Sequence, residues 1–235
     1  MTPKLIYRAR RHPSLNRTEF IRRWHQHGLL GMSLPRWRNV RRYMQCVSIQ
    51  EEADALAEVK CDGVALVWYQ DMAAYRRHIT EDPEDRAVMK SDELQIFASP
   101  VAATVVLSEA TTVKLTATVP AAKLFVFWHC ADAVSRQSFM REWRERRRHP
   151  WVSSITGREG VCGYTQNVAL PIAEAGQETF CVGVDEISAS TVQPLRQLRA
   201  GLADQQWACA QPRWVLTESA LLHGQWEHEQ PVPNG

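Results

Sequence analysis

The sequence contains no long apolar segment, and it is poor in the residues that mark disordered or fibrous chains. No stretch of its 235 residues approaches the roughly 18 consecutive apolar positions that a membrane helix needs. Twelve prolines and eleven glycines, with 45% hydrophobic residues, are typical of a folded chain. The first residues are charged and lack an apolar core, so we expect no secretory signal. Together these absences predict a cytoplasmic protein without a membrane segment.

Cysteine and lysine are also scarce. The six cysteines are scattered, with no CxxC pair and no histidine at a zinc-ligand spacing, so we expect neither a metal site nor a disulfide framework. The chain has 5 lysines and 23 arginines, and ten of the arginines lie in residues 1–45 beside a single acid, Glu19. Acidic stretches at 51–62 and 81–93 can pair with this basic segment. We therefore expect no nucleic-acid partner, and favour a small-molecule ligand, with an anionic one among the candidates.

The two halves of the chain repeat the same residues in the same order. The recurring sets are Lys4-Leu5-Ile6-Tyr7 with Lys123-Leu124-Phe125-Val126, Phe20 and Trp24 with Phe139 and Trp143, and Tyr43 and Gln45 with Tyr164 and Gln166. Each residue is separated from its counterpart by about 120 positions, as expected of a tandem duplication. We predict one repeat over residues 1–112, a second, degenerate repeat over 113–224, and a flexible tail over 225–235.

Each half has the pattern of a β-α-β-β-α-β unit. In the first half, strands are predicted at 5–10, 42–49, 63–70 and 101–107, because apolar residues alternate or run continuously there. Asn16 and Glu19 have the spacing of a capping box before an apolar helical pattern, and Asp71 begins a second helix that Pro83 interrupts. This order is that of the ferredoxin-like motif.

Strands such as 64–68 are apolar at every position, which predicts that both faces of the sheet are covered. The simplest cover for the second face is the sheet of the other half. We therefore predict an α+β fold in which two ferredoxin-like βαββαβ repeats are fused into a pseudo-dimeric α+β barrel with helices outside. Such a chain is expected to act as a monomer that mimics a dimer, or to pair further as a homodimer.

The first half resembles the EthD family of dimeric α+β barrel proteins over most of residues 4–109. The residues that carry the resemblance are Lys4-Leu5-Ile6-Tyr7, Trp24-x-x-His27 followed by Gly28-Leu29, Tyr43-x-Gln45 and Asp92-Glu93-x-x-x-Phe97. The second half matches more loosely. Arg146 stands there at the position that corresponds to His27.

This resemblance implies a cofactor-independent lyase or isomerase, such as a dehydratase, a decarboxylase or a lactone isomerase. The implied substrate is a small cyclic, aromatic or polyketide-like compound, as in aromatic-compound catabolism, and no cofactor is expected. His27 is the expected general acid/base, because a neutral imidazole can transfer a proton near neutral pH. A helix-end histidine bonded to a carbonyl is the alternative interpretation of the same residue.

The substrate-binding candidates are aromatic or basic side chains near the predicted sheet. They are Tyr7, Trp24, Tyr43, Trp68 and His78. Trp24 lies on nearly the same helix face as His27 and would form a wall of the pocket. The phenols of Tyr7 and Tyr43 would orient a substrate oxygen, although packing between strands also accounts for them.

Several further acidic and basic residues have a predicted structural or functional role. Asp92 recurs as Asp204, which favours a structural cap over a catalytic acid. Arg36, like the arginines that follow it at 38, 41 and 42, is interpreted as part of a solvated basic loop. Finally, Arg146 in place of a second motif histidine is compatible with a non-catalytic small-molecule binding protein, and related barrels make a heme-dependent or cofactor-free monooxygenase a further alternative.

Overall fold

An eight-stranded antiparallel barrel forms the centre of the protein. The computed structural model describes residues 2–49, 61–130, 132–145, 150–170, 181–202 and 211–223. Its strands are β1 (Pro3–Ala9), β2 (Val40–Ser48), β3 (Gly63–Tyr69), β4 (Val105–Leu115), β5 (Ala122–His129), β6 (Val161–Ala169), β7 (Gly183–Ala189) and β8 (Gln211–His223). Around the closed barrel they follow the order β1-β3-β2-β8-β5-β7-β6-β4, and every neighbouring pair is antiparallel.

Six α-helices accompany the barrel in the described part of the chain. They are α1 (Arg17–Ser33), α2 (Met72–Thr80), α3 (Pro83–Ile96), α4 (Ala133–Glu145), α5 (Pro150–Thr156) and α6 (Gln193–Leu202). Short 3-10 turns at Pro35–Asn39 and Val101–Ala103 precede β2 and β4. Among the described helices, none has the length and apolar character to cross a membrane.

The four strands of each half are adjacent in the barrel. The first half contributes the order β4-β1-β3-β2, the second half contributes β8-β5-β7-β6, and the ladders β2–β8 and β4–β6 join them. Strand β4 passes through the predicted boundary at 112, and residues 116–121 connect the halves. The predicted α+β class and the closed barrel are confirmed.

Side chains alternate between the barrel interior and the helix-covered outer face. The interior cluster combines apolar residues of both halves, among them Ile6, Met44, Leu66, Val106, Phe125, Phe127, Val184 and Val215. The outer cluster of the first half combines the strand residues Tyr7, Tyr43 and Val67 with the helix residues Phe20 and Trp24. Strand β3 is buried at all seven positions, which confirms the prediction that both of its faces are covered.

Helix α1 begins as predicted. The side chain of Asn16 accepts a hydrogen bond from the Glu19 amide at 3.0 Å, and the Glu19 carboxylate accepts one from the Asn16 amide at 2.9 Å. These two bonds satisfy donors that the first turn would otherwise leave unpaired. The buried residues of the helix recur at helical spacing along one face, and they are Phe20, Trp24, His27, Gly28 and Gly31.

Two predicted elements of the first half differ from the structure. The predicted strand at 101–107 is a 3-10 turn followed by β4, which starts at Val105 and extends to Leu115 because its second part pairs with β6 of the other half. The predicted second helix is two helices. Between them Asp82 adopts a left-handed conformation with φ of 53°, and Pro83 then occupies the first position of α3, where its missing amide costs no hydrogen bond.

Two residues and one segment named in the sequence predictions lie outside the described residues. They are Arg146, Asp204 and the tail at 225–235.

Candidate active site

A cavity of about 170 Å³ lies between the outer face of the first-half strands and the helices that cover them. Strands β1, β2 and β3 form its floor, and α1, α2, α3 and the turn at 35–39 form its walls. Its aromatic and polar lining residues are Tyr7, His27, Arg36, Trp37, Tyr43, Tyr69, His78 and Glu93. Leu5, Val67, Ile79 and Met89 add apolar surface, so the cavity suits a small, partly apolar molecule.

His27 is held in the cavity wall by a carboxylate from α3. Its Nδ1 lies 2.8 Å from Asp92 Oδ2, and Arg23 donates to the other oxygen of Asp92 at 3.3 Å. The imidazole also meets the edge of the Phe97 ring, with centroids 5.4 Å apart. With Nδ1 donating to the carboxylate, Nε2 is the nitrogen that can accept a proton from a ligand. Asp92, predicted from the sequence to be a structural cap, lies within α3 and orients His27.

Burial sets the protonation state of His27. The side chain is 5% exposed, and desolvation lowers its pKa from the ordinary 6.5, against the opposing effect of Asp92. The imidazole is therefore neutral at neutral pH. A neutral, oriented imidazole beside a cavity is the arrangement that general-base catalysis requires.

Two phenols form a short hydrogen-bonded chain on the cavity floor. The hydroxyl oxygens of Tyr7 and Tyr43 are 3.2 Å apart. The Tyr7 oxygen accepts from Trp24 Nε1 at 3.3 Å, and the Tyr43 oxygen accepts from Gln45 Nε2 at 2.9 Å. Burial raises the pKa of Tyr7 well above 10 and that of Tyr43 to about 12, so both remain protonated. One of their two hydroxyl protons joins the phenols, and the other is left for a ligand.

His78 lies on the other side of the cavity among aromatic rings. Its Nδ1 donates to the Arg36 carbonyl at 3.2 Å, and its ring lies 5.3 Å from Tyr69 and 6.3 Å from Trp37. Burial lowers its pKa to about 4. His78 is therefore a second neutral imidazole in the cavity, with its Nε2 as the remaining acceptor.

Arg36 and Glu93 were not among the site residues predicted from sequence. Arg36 lines the cavity, and its Nε is a buried donor with no hydrogen-bond partner among the described residues. Glu93 lines the same cavity from α3, and burial raises its pKa. An unsatisfied guanidinium donor beside a carboxyl group whose pKa is raised by burial suits a ligand that carries oxygen atoms.

The six candidates from sequence occupy three different positions. His27, Tyr7, Tyr43 and His78 line the cavity. Trp24 is fully buried behind it, and its indole Nε1 donates to the hydroxyl of the cavity residue Tyr7. Trp68 lies on the opposite face of β3, with the barrel-interior residues, because strand side chains alternate and its neighbours Val67 and Tyr69 face the cavity.

The second half arranges its corresponding residues around a carboxylate. Asp185 accepts hydrogen bonds from Trp128 Nε1 at 2.9 Å, Trp143 Nε1 at 3.2 Å and the Tyr164 hydroxyl at 3.1 Å. Gln166 bonds the Tyr164 hydroxyl at 3.2 Å, as Gln45 bonds Tyr43. The carboxylate of Asp185 thus engages the donors of its half, whereas the phenols of the first half leave one proton available.

Among the described residues, no three histidine, cysteine, aspartate or glutamate side chains converge as a metal-binding group.

Comparison with known proteins agrees with the sequence resemblance. Residues 12–100 match the family model of the EthD domain, which confirms the predicted relationship for the first half. No curated protein matches the sequence.

Solved structures share the fold of nearly the whole chain. An anthrone oxidase-like protein superposes with a TM-score of 0.61 at 9% identity, covering 94% of this chain and 91% of its own. A proposed monooxygenase from Fusobacterium nucleatum gives a TM-score of 0.56 at 9% identity, covering 94% and 93%. A chlorite dismutase variant from Candidatus Nitrospira defluvii gives 0.53 at 6% identity, covering 92% and 91%. At these identities the similarity concerns the fold.

Proposed function

We propose that this chain, which carries an EthD domain, is a cofactor-independent lyase or isomerase that acts on a small cyclic, aromatic or polyketide-like compound. Dehydration, decarboxylation and lactone isomerisation all require a proton to move to or from a substrate atom. The observation that carries the proposal is His27, a neutral imidazole oriented by Asp92 beside a cavity of about 170 Å³. General acid/base catalysis of this kind contributes about 10² to 10⁴ in rate.

His27 Nε2 would remove a proton from a carbon or hydroxyl group of the substrate. The imidazolium that forms is stabilised by the Asp92 carboxylate, 2.8 Å from Nδ1. The electron pair left on the substrate moves onto an oxygen, which the free hydroxyl proton of the Tyr7–Tyr43 chain can meet. Hydrogen bonds into such a chain strengthen one another, and a donor aimed at developing negative charge lowers the barrier.

Arg36 would supply the positive charge in this arrangement. Its Nε has no hydrogen-bond partner among the described residues, and burial lowers the pKa of its guanidinium because the charged form is desolvated. A carboxylate, enolate or phenolate oxygen would satisfy the donor and offset that cost. This favours an acidic or readily enolised substrate, in keeping with the small anionic ligand expected from composition.

A cofactor-free monooxygenase is the second candidate. The fold similarity to a proposed monooxygenase and to an anthrone oxidase-like protein favours it. The same residues would serve the first step, in which His27 removes a proton from a phenolic or enolisable substrate before the anion meets oxygen. A cavity of about 170 Å³ favours the cofactor-free alternative over the heme-dependent one, because it is smaller than the sites of about 300–1,000 Å³ typical of drug-sized ligands.

We also propose that the two halves are tandem ferredoxin-like repeats that join between β4 and β5, close to the predicted limits of 1–112 and 113–224. The matching strand orders β4-β1-β3-β2 and β8-β5-β7-β6 support this. So do two equivalent contacts, in which Trp24 lies against Gly63 and Trp143 against Gly183. Because one chain closes the barrel, a monomer is sufficient for the site.

The proposal can be tested without knowing the complete reaction. The protein is incubated in D₂O with cyclic β-diketones, hydroxylated aromatic ketones and unsaturated lactones, and the deuterium that each compound takes up measures proton removal from carbon. Oxygen uptake is recorded in parallel. We expect His27→Ala to reduce exchange about 10²-fold or more. His25→Ala is the matched control, since His25 is exposed on the same helix.

Four results bear on the assignment. Exchange that requires His27, without oxygen uptake, supports the lyase or isomerase. Oxygen uptake that requires His27 supports the monooxygenase instead. Catalysis by His27 would be refuted if the His27→Ala protein folds and retains full exchange. It would also be refuted if the wild-type protein binds these compounds without exchange or turnover, and that result would support the non-catalytic binding protein.

A further inference from the structure

Glu93 is a titratable group in the wall of the candidate active site that the proton transfer by His27 does not use. It lies on α3 together with Met89, four residues earlier on the same face of the helix, and both side chains line the cavity. The preceding residue, Asp92, is turned about 100° around the helix and pairs with His27 instead. Helix α3 thus supplies one carboxylate to the histidine and a second one to the ligand space.

The surroundings of Glu93 place its carboxyl group near the groups that would meet a substrate oxygen. The backbone of Val101, another lining residue, hydrogen-bonds the carboxylate. Burial is the main cause of the raised pKa of Tyr7, and the charge of Glu93 adds to it. Burial lowers the pKa of Arg36, and the charge of Glu93 opposes this. Because charge interactions weaken with distance, Glu93 lies close to both the phenol and the guanidinium.

Glu93 and His27 differ in the proton that each can exchange. Burial raises the pKa of Glu93 above the ordinary 4.5, the charge of Asp92 adds to this, and the charges of Arg36 and Lys90 oppose it. Burial lowers the pKa of His27. Relative to the same groups in water, both shifts are toward the uncharged form, a carboxylic acid and a neutral imidazole. A reaction that moves two protons requires such a pair, one acid and one base.

We propose that Glu93 is a second catalytic residue of this cavity, the general acid that gives a proton to the substrate after His27 has removed one. A molecule that fills a cavity of about 170 Å³ lined by both residues can contact both. This role rests on the proposed function and narrows it. Dehydration and isomerisation each move protons at two substrate atoms, whereas decarboxylation needs no base to break a C–H bond.

The dehydration of a cyclic β-hydroxy ketone shows how the two residues would divide the work. His27 Nε2 takes the proton from the carbon beside the carbonyl, and the electron pair of that C–H bond is held on the carbonyl oxygen before it forms the new C=C bond. The bond between the next carbon and its hydroxyl oxygen breaks, and this oxygen takes the Glu93 proton and leaves as water. The imidazolium then returns its proton to the Glu93 carboxylate through solvent. In an isomerisation, the Glu93 proton goes to a second carbon of the conjugated system.

The test measures proton removal and product formation in the same sample of the full chain in D₂O. One probe is β-hydroxy-α-tetralone, which forms a naphthol when it loses water, and the other is α-angelica lactone, whose double bond moves into conjugation. Glu93→Gln keeps the shape of the side chain but has no acidic proton. We expect it to lower product formation about 10²-fold and to lower His27-dependent deuterium exchange much less. Glu84→Gln is the matched control, because Glu84 is exposed on the same helix and its loss changes the charge equally.

The pH profile of the wild type distinguishes an acid from a merely structural carboxylate. The acid form of Glu93 is lost as the pH rises through its pKa, so product formation is expected to fall there, whereas Glu93→Gln lacks this decrease. Added formate is expected to restore product formation in Glu93→Ala by supplying the missing acid. Because the wild-type profile needs no variant, its lack of a decrease overturns the proposal even if the variants do not fold.

The remaining outcomes separate this role from the assignment of His27. Exchange that requires His27 without any product, product formation by Glu93→Gln at the wild-type rate, or an equal loss of exchange and product in that variant would each overturn the role of Glu93 and leave His27 as the base. An equal effect of Glu84→Gln would do the same. If the wild type exchanges neither compound, the proposed function fails and the role of Glu93 fails with it.

Discussion

Replacing Gly63 with alanine tests both the packing of the first half and its link to the candidate active site. Gly63 begins β3 and lies against the indole of Trp24. A β-carbon at this position would lie 2.4 Å from Trp24 Cζ3, 2.6 Å from Trp24 Cη2 and 2.7 Å from the carbonyl oxygen of Cys46. The last contact is with backbone on the neighbouring strand, so a rotation of Trp24 alone cannot relieve the overlap.

The geometry sets the size of the expected effect. Overfilling a packed core costs typically about 1–3 kcal/mol, and three contacts below 3.0 Å place this substitution at the upper end of that range. For a chain of this length, about 2–3 kcal/mol corresponds to a decrease in Tm of roughly 5–10 °C. Displacing Trp24 also breaks the bond from its Nε1 to the Tyr7 hydroxyl, so proton exchange at the active site is expected to fall as well.

Thermal and urea unfolding of Gly63→Ala measure this cost. The matched control is Gly201→Ala in α6, because a β-carbon there meets nothing within 4 Å and alanine favours a helix by up to about 1 kcal/mol. Gly183→Ala places its β-carbon 2.6 Å from Trp143 Cη2 and is expected to lose stability like Gly63→Ala, without the loss of exchange. If Gly63→Ala unfolds at the wild-type midpoint, the close packing of Trp24 on β3 is refuted.

Three further predictions concern titration and capping. Asp92→Asn is expected to lower the pKa of His27 further, because Asp92 raises it in the wild type; an unchanged imidazole titration by NMR would contradict the pairing. His78 has a pKa of about 4 in the folded protein and an ordinary pKa near 6.5. At a pH between these two values the unfolded chain binds a proton at this histidine and the folded chain does not, so the free energy of unfolding falls as the pH drops from 6.5 to 4. Urea unfolding at pH 7 and pH 5 is expected to show a loss of at most about 2 kcal/mol from this group, reduced in His78→Gln. Asn16→Ala is expected to cost about 1 kcal/mol through the lost cap, and equal urea midpoints for variant and wild type would rule that out.

Local sequence patterns were sufficient for the elements whose determinants are local. The capping box of Asn16 and Glu19 marks the start of α1, because both of its bonds lie within four consecutive residues. Continuous apolar strands predicted that both faces of the sheet are covered, and the closed barrel covers them. The end of β4 was not predictable in this way, because its extension to Leu115 depends on pairing with β6, about fifty residues further along the chain.

The site shows where such patterns stop being informative. Trp68 and Tyr69 alternate, but both faces of β3 are apolar, so the sequence does not reveal which of them meets the cavity. The pairing of His27 with Asp92 joins α1 to α3 across 65 positions, and no spacing rule covers that distance. From the sequence, Arg36 was interpreted as part of a solvated loop. Its burial comes from the packing of α2 and α3 around the turn at 35–39, which the local sequence does not reveal.

The hydrogen-bond arrangement of the two halves favours the first half alone as the site of the proposed chemistry. In the second half, the Asp185 carboxylate accepts from two indoles and from the Tyr164 phenol, so these donors are already engaged within the protein. In the first half, Tyr7 and Tyr43 bond each other, and one hydroxyl proton is left to meet a ligand. Because a carboxylate accepts without donating, the Asp185 position cannot stabilise a developing oxyanion as a phenol can. Activity lost with His27 should therefore not be recovered from the second half.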